Sequence, residues 1–319
     1  MLTLQQMADR LRLLKSATIF CHMRPDGDTL GAAMGLADML ASFGARCRVV
    51  CEGPIPEKFW FLPGMRAIGA VPDESVEAYI AVDASEIHRL GSLGEVFSRA
   101  KKPKFNIDHH VSNSRYGDFV YVEDCAATCQ IMTALAGCLG LRLSAKTANY
   151  LMLGLSSDTG NFAHKNVTAD TFRAAAALAE CGADVHAIQY YMFKKQSAAR
   201  AKLFGRTMSA IRYFAEGRIA VICVTRAMLE ECGATPDVTE GFIDFPLNVD
   251  GVEVAACLLE TGEERYKVSL RSSGRADVNA VAGVFGGGGH VLASGCMLFC
   301  PLEEAVDKLR YAVLQHLPG

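Results

Sequence analysis

The chain has 319 residues, half of them hydrophobic and 21% charged, with a formal net charge of −3. Its length accommodates two domains of about 150 residues each, and its composition is that of a globular protein with a substantial core. The slight acidic excess excludes a broad, non-specific polyanion-binding surface, so any nucleic-acid substrate has to be small and locally held.

Residues 1–14 form a mixed amphipathic segment carrying Asp9, Arg10 and Arg12, unlike the apolar core of a secretory leader. Residues 17–22 read as a buried strand, after which Leu30, Ala33, Met34, Ala37 and Leu40 recur at helical spacing. Asp28 or Thr29 is placed to cap that helix and Gly44 to close it. Three more strands follow at 46–51, 78–82 and 104–107. The second of these runs into Asp83-Ala84-Ser85 and the third into Asp108-His109-His110. Residues 125–139 and 146–156 read as helices, the latter delivering Ser157-Asp158-Thr159-Gly160 from the loop that follows. Strands alternating with helices imply a parallel α/β sheet. A helix over 170–179, closed by Gly182, leads to a long, more charged helical stretch over 187–208, taken as the connector. Beyond it, strands are expected at 219–224, 252–260 and 266–271 and helices at 278–285 and 302–316, which make a smaller α/β domain.

Twelve cysteines show no Cys-x-x-Cys pair, and Cys21, Cys138, Cys223 and Cys257 lie within apolar runs, where a thiol behaves as a small hydrophobe. That usage implies a reduced, cytoplasmic protein. No run approaches the roughly 18 apolar residues a bilayer span needs, so no membrane association is expected.

Two clusters carry the chemistry: His22-x-x-x-Asp26-x-Asp28 and Asp108-His109-His110. Each falls where an apolar run gives way to polar residues, and ligands of open α/β sheets gather at such strand ends. A single Asp there is ordinarily a turn former or helix cap; six oxygen and imidazole donors at two strand ends suit Mn²⁺, Zn²⁺ or Mg²⁺. Adding Asp83 and Asp158, the group Asp26, Asp28, Asp83 and Asp158 holds four carboxylates whose repulsion two divalent cations would neutralise. Paired metals lower the pKa of a shared water, so these residues point to metal-assisted hydrolysis of a phosphate ester or anhydride. Further along, Gly286-Gly287-Gly288-Gly289-His290, preceded by Arg271-Ser272-Ser273, offers backbone N–H groups and a guanidinium fork for an anion. No Gly-Lys-Ser/Thr follows the glycines, which rules out a Walker loop. Lys194, Lys195, Arg200 and Lys202 read as the solvated face of the connector helix, and Phe59-Trp60-Phe61 as a packed loop.

Taken together, His22-x-x-x-Asp26-Gly-Asp28, Val82-Asp83-Ala84-Ser85, Asp108-His109-His110 and Ser157-Asp158-Thr159-Gly160 resemble, in order, the four motifs of the DHH phosphoesterase superfamily. The stretch from Arg271 through Asp277-Val278-Asn279 and Gly286–Gly289 to Ala293-Ser294-Gly295 resembles its DHHA1 companion domain. The resemblance implies an N-terminal parallel-sheet DHH domain (1–187), a helical connector (188–209) and a smaller α/β DHHA1 domain (210–319). It implies His22, Asp26 and Asp83 around one cation and Asp28, Asp83, His109 and Asp158 around another, Mn²⁺ being the family's usual metal. His110 would face the scissile phosphate and Asp108 would orient a ligand imidazole. Arg271, Ser272 and His290 would grip the nucleotide, with the Gly286–Gly289 backbone around its phosphate.

Length and the lack of extra domains look most like the nanoRNase / pAp-phosphatase branch. That branch cuts two- to five-mer RNA to mononucleotides and removes the 3′-phosphate of adenosine 3′,5′-bisphosphate. Short RNA and pAp-type nucleotides are thus the expected partners, long duplexes are not, and a homodimer is compatible with the chain. A cyclic-di-AMP or pApA phosphodiesterase is the alternative within the same chemistry. A non-catalytic nucleotide-binding module is the alternative outside it.

Overall fold

In the computed structural model, which describes residues 2–317, the apolar runs of the first half become a parallel sheet. The chain divides into two units, Met1–Lys195 and Gln196–Gly319. The first unit runs α1 (Leu4–Leu11), β1 (Ser16–Phe20), α2 (Gly27–Ala41), β2 (Arg46–Val50), β3 (Ala78–Val82), α3 (Leu93–Arg99), β4 (Lys104–Asp108) and β5 (Phe119–Val122). It continues with α4 (Thr128–Cys138), α5 (Ala145–Asp158), α6 (Ala169–Glu180) and α7 (Val185–Gln189). Strand order is β2-β1-β3-β4-β5, with every pairing parallel. One face of the sheet (Ala17, Ile19, Ile80, Val82, Ile107) packs with α2, α4 and α5; Phe20, Tyr79 and Ala81 on the other face meet Leu93 and Phe97 of α3. β3 is buried along its whole length, which is why its sequence is a continuous apolar run rather than an alternating one.

β1 is flanked by β2 on one side and β3 on the other, so the strand order reverses between β1 and β3. In open α/β sheets that reversal opens a crevice at the carboxyl ends of the strands.

The pairing of α2 with α5 is set by small residues. A Cβ on Gly27 would stand 2.7 Å from Ser157 Cβ, and one on Gly31 would strike the Tyr150 carbonyl and stand 3.2 Å from the Gly154 nitrogen. Glycine at these positions lets the two helix backbones touch. At the other end of α2, Asp38 accepts hydrogen bonds from Lys146 Nζ (2.6 Å), Ser144 Oγ (3.2 Å) and the Thr147 hydroxyl at the start of α5.

Two expectations, the cap of α2 and the single connector helix, are corrected here. The cap of α2 is Asp26, whose Oδ1 accepts the N–H groups of Asp28 (3.0 Å) and Thr29 (3.1 Å). The stretch expected as one connector helix over 187–208 is broken. A π-turn over Tyr190–Lys194 ends α7, Lys195 turns extended, and Ser197 caps a new helix by accepting the Arg200 N–H. The amphipathic start is the helix α1, closed by a reciprocal Thr3–Gln6 capping box.

The second unit runs α8 (Ala198–Met208), β6 (Arg212–Phe214), β7 (Ile219–Val224), α9 (Arg226–Cys232), α10 (Asp244–Leu247), β8 (Val254–Gly262) and β9 (Arg265–Ser272). Then come α11 (Val278–Gly283), β10 (Gly288–His290), β11 (Ala293–Phe299) and α12 (Leu302–His316). Its sheet, ordered β10-β11-β9-β8-β7-β6, is antiparallel except for the parallel β7–β8 pair. One face carries α11 and α12; Leu203 of α8, Leu229 of α9, Phe242 and Ile243 cover part of the other.

β10 takes up half of the glycine run as an edge strand. A Cβ on Gly287 would stand 2.8 Å from Cys296 Cα and one on Gly289 2.7 Å from Ser294 Cα, so these two glycines serve close approach to β11. No helix among the described residues is long and apolar enough to cross a membrane, and the cysteines are free thiols.

Candidate metal centre

Three strand ends and the ends of three helices build the site. His22 follows β1, Asp83 follows β3, and Asp108 ends β4 with His109 and His110 behind it. Asp26 and Asp28 sit at the start of α2. Asp158, expected in a loop, is the last residue of α5, delivered there by the close α2–α5 contact.

Among the described residues three overlapping donor groups form: His22, Asp26 and Asp83; Asp28, His109 and Asp158; and Asp83, His109 and His110. His22 Nε2 lies 3.4 Å from Asp26 Oδ2 and 3.5 Å from Asp83 Oδ2. His109 Nε2 lies 3.5 Å from Asp83 Oδ1 and 3.4 Å from Asp158 Oδ2. The two oxygens of Asp83 thus face different imidazoles. Asp83 is 1% exposed and holds a left-handed backbone (φ 55°), tolerated by Asp better than by most residues.

The donor set fits divalent cations on a test internal to the structure. The Nε2 atoms of His22 and His109 are buried and lack a hydrogen-bond partner, an arrangement that costs free energy unless something else takes the lone pair. His109 Nδ1 contacts the Cys125 carbonyl at 3.0 Å. A carbonyl can only accept, so Nδ1 carries the proton and Nε2 presents its lone pair to the cluster. Donors about 3.4 Å apart match two ligands sharing a cation at about 2.1 Å each.

The electrostatics agree. Burial, reinforced by Asp28, Asp26 and Asp158, pushes the Asp83 carboxyl well above its ordinary range. Burial and the same kind of repulsion raise Asp158 to about 9. Burial also raises Asp28, partly offset by His109. In Asp26 burial is outweighed by the close imidazole of His22 and by the Thr29 and Asp28 N–H groups, so its pKa is lowered. Protons hold together what cations would otherwise hold.

Asp108 plays a different part. It is fully buried and accepts from His110 Nδ1 (2.7 Å), Asn113 Nδ2 (2.6 Å) and the His109 backbone N–H (2.9 Å). The ring it orients is therefore His110 and not the donor His109, whose ring the Cys125 carbonyl holds. The hydrogen bond to Asp108 raises the His110 pKa, and 31% of that side chain is open to solvent.

Two contributors escaped the sequence reading. Thr128, at the start of α4, donates its hydroxyl to Asp83 Oδ1 (3.0 Å), while the N–H groups of Thr128 and Cys129 donate to Asp28 (2.6 and 2.9 Å). Asn113 braces Asp108. The Thr128 contacts join segments 45 and 100 residues apart, and Asn113 stands five residues after Asp108, outside the motif.

In the second unit, His290 pairs with Ala293 and Ala293 with Arg271, so the imidazole and guanidinium share one face with a single small residue between them. Ser272 lies on the opposite face, buried, its Oγ accepting the N–H groups of Gly274 (3.1 Å) and Ala276 (3.2 Å). The structure does not bring Ser272 together with Arg271 and His290. Gly286 and Gly288 have open space where a Cβ would stand, save for Asn279 Oδ1 at 3.7 Å from Gly288.

A buried carboxylate–imidazole cluster at the reversal point of a parallel sheet, joined to a mixed-sheet companion, defines a hydrolase acting on phosphate ester bonds. The chain belongs to the DHH/DHHA1 phosphoesterase family: residues 16–155 match the DHH family, N-terminal domain, and residues 218–317 the DHHA1 domain. The "Bifunctional oligoribonuclease and PAP phosphatase NrnA" of Thermus thermophilus is 32% identical, over 94% of this chain and 89% of that protein. The "Probable bifunctional oligoribonuclease and PAP phosphatase NrnA" of Streptococcus mutans is 29% identical, over 92% and 93%. A solved exopolyphosphatase-related protein from Bacteroides fragilis superposes with a TM-score of 0.85 at 23% identity, covering 98% of this chain and 95% of that one, a likeness of fold.

Proposed function

We propose that the protein cuts two- to five-mer oligoribonucleotides to mononucleotides and removes the 3′-phosphate of adenosine 3′,5′-bisphosphate, using two divalent cations, Mn²⁺ foremost. The observation that carries this reading is the geometry of Asp83, whose oxygens face the orphaned Nε2 atoms of His22 and His109. His22, Asp26 and Asp83 would hold one ion; Asp28, Asp83, His109 and Asp158 the other. Such a pair supplies an activated water and charge neutralisation at a phosphoryl group.

The chain's own residues do the rest. Asp108 aims the His110 ring and favours its protonated form, which would offer an N–H to a phosphate oxygen or the departing oxygen. Thr128 and the start of α4 hold Asp83 and Asp28 in place. Arg271 and His290 would bind the nucleotide, with the backbone at Gly286 and Gly288 open to its phosphate. The two curated relatives named above, similar along nearly the whole chain, support this choice of substrates.

The test is a panel of pAp, pApA, RNA pentamer, cyclic-di-AMP and pyrophosphate at equal concentration with Mn²⁺, each with and without chelator. Chelator-sensitive release of mononucleotide from the pentamer and pApA, and of phosphate from pAp, is expected. Turnover of cyclic-di-AMP or pyrophosphate alone would overturn the proposal.

A further inference from the structure

In the donor group Asp28, His109 and Asp158, two members are held by one short segment. The Cys125 carbonyl accepts from His109 Nδ1 (3.0 Å), and the Thr128 and Cys129 N–H groups donate to Asp28 (2.6 and 2.9 Å). The third member, Asp158, stands on the last turn of α5, whose carbonyls have no partner within the helix. One side chain joins the two supports. Asn166 Nδ2 donates to the Asp158 carbonyl (3.1 Å) and to the carbonyl of Ala126 (3.2 Å), a buried residue between Cys125 and Thr128.

The chain bends back sharply to bring Asn166 there. Gly160, Asn161 and Phe162 take left-handed backbone in succession (φ 54°, 58° and 65°), a conformation costly for phenylalanine. The buried Asn161 Oδ1 has no hydrogen-bond partner, a further cost. A Cβ on Gly160 would strike the His164 ring, whose Nδ1 also reaches the Asp158 carbonyl at 3.3 Å. Such strain persists where the surrounding contacts fix the backbone, and here they converge on Asp158. Core packing does not account for Asn166. The residue is exposed, its removal would leave no core cavity, and replacing an exposed residue ordinarily changes stability little. The group His22, Asp26 and Asp83 rests instead on the ends of β1 and β3 and the start of α2, to which Asn166 makes no hydrogen bond among the described residues.

We propose that Asn166 is a positioning residue of the metal centre. Its amide sets the gap between Asp158 and the pair Asp28 and His109, and thereby the affinity of the one cation those three would hold. The inference deepens the functional proposal above and rests on its two cations. Asn166 stands beyond the Ser157–Gly160 motif, and only its two carbonyl partners give it a role.

The test is Mn²⁺ titration calorimetry on the full chain, with kcat and KM for pApA measured alongside. Wild type is expected to bind two ions. Asn166→Ala, and Asn166→Leu, which keeps the branched shape without the donors, are expected to weaken one ion about 10–100-fold and to leave the other within about threefold. Both should lower kcat with KM little changed. Thr168→Ala removes the side-chain cap of α6 beside the same loop and serves as the structural control. It should lower the melting temperature yet leave both Mn²⁺ affinities within about threefold of wild type. Two sites of unaltered affinity in both Asn166 variants overturn the inference. So does a loss in Thr168→Ala as large as in Asn166→Ala, which would make loop stability the cause. A wild type that binds fewer than two ions would overturn the two-cation reading itself, and this inference with it.

Discussion

Asp83 concentrates the chemistry of the centre in one side chain. One oxygen faces His22; the other faces His109 and accepts the Thr128 hydroxyl. Replacing a partner outside a metal's own ligands costs about 10–100-fold in affinity or activity, so removing Asp83, proposed to be shared by two ions, should exceed that. Asp83→Asn is expected to lower kcat by more than about 100-fold and to weaken Mn²⁺ binding, read by isothermal titration alongside turnover. Asp108 acts through His110 instead. Its charge and hydrogen bond raise the His110 pKa, so Asp108→Asn should lower it. The alkaline limb of the kcat–pH profile should then move to lower pH while Mn²⁺ affinity stays within a few-fold. An unmoved limb would show that His110 does not supply the titrating proton. These residues differ in legibility. His22, Asp83 and His109 stand directly after apolar runs and announce themselves, whereas Thr128 matters through a partner 45 residues away and Asn113 lies outside the motif it braces.

Helix α2 brings the donors together because it can lie against α5. Gly27 and Gly31, one turn apart, face Ser157 and the backbone around Tyr150 and Gly154, so Asp28 and Asp158 arrive at the same place. Gly31→Val should cost about 1–3 kcal/mol through overpacking and should weaken Mn²⁺ binding as the helices part. Gly137→Ala in α4, where a Cβ meets nothing within 4 Å, should instead raise stability by about 0.5–1 kcal/mol. Thermal melts with a Mn²⁺ titration check both. A valine at 31 that left metal affinity untouched would separate helix packing from the site. At this scale β1, α2 and β3 were legible from apolar runs and helical spacing. β10 and β11 were not: Gly288–Gly289 and Ala293-Ser294-Gly295 are small residues with weak strand preference, β11 held by pairing to β9 and β10 by pairing to β11.

Across the whole molecule, the carboxylate cluster links stability to pH and metal. Asp28, Asp83 and Asp158 have raised pKa values, with Asp158 at about 9. Between the unfolded carboxyl pKa of about 3.9 and these folded values, the native metal-free chain binds more protons than the unfolded one. Its stability is therefore fully present below that range and is lost as pH rises through it. Melting in EDTA should occur at lower temperature near pH 8 than near pH 5.5, and Mn²⁺ should raise the midpoint more at the higher pH. An equal Mn²⁺ effect at both pH values would mean that the cation does not replace those protons.

The sequence alone determined the donors' identities and the strand ends that carry them. An apolar run of five residues bounded by polar ones makes a buried strand wherever it lies, and its last residue reaches the sheet edge. Only the tertiary structure decided which donors meet. Strand order placed His22 beside Asp83, the glycine contact of α2 with α5 delivered Asp158 to Asp28, and the start of α4 supplied the hydrogen bonds that hold them. Those contacts join segments up to about 130 residues apart, and no local pattern encodes a distance of that kind.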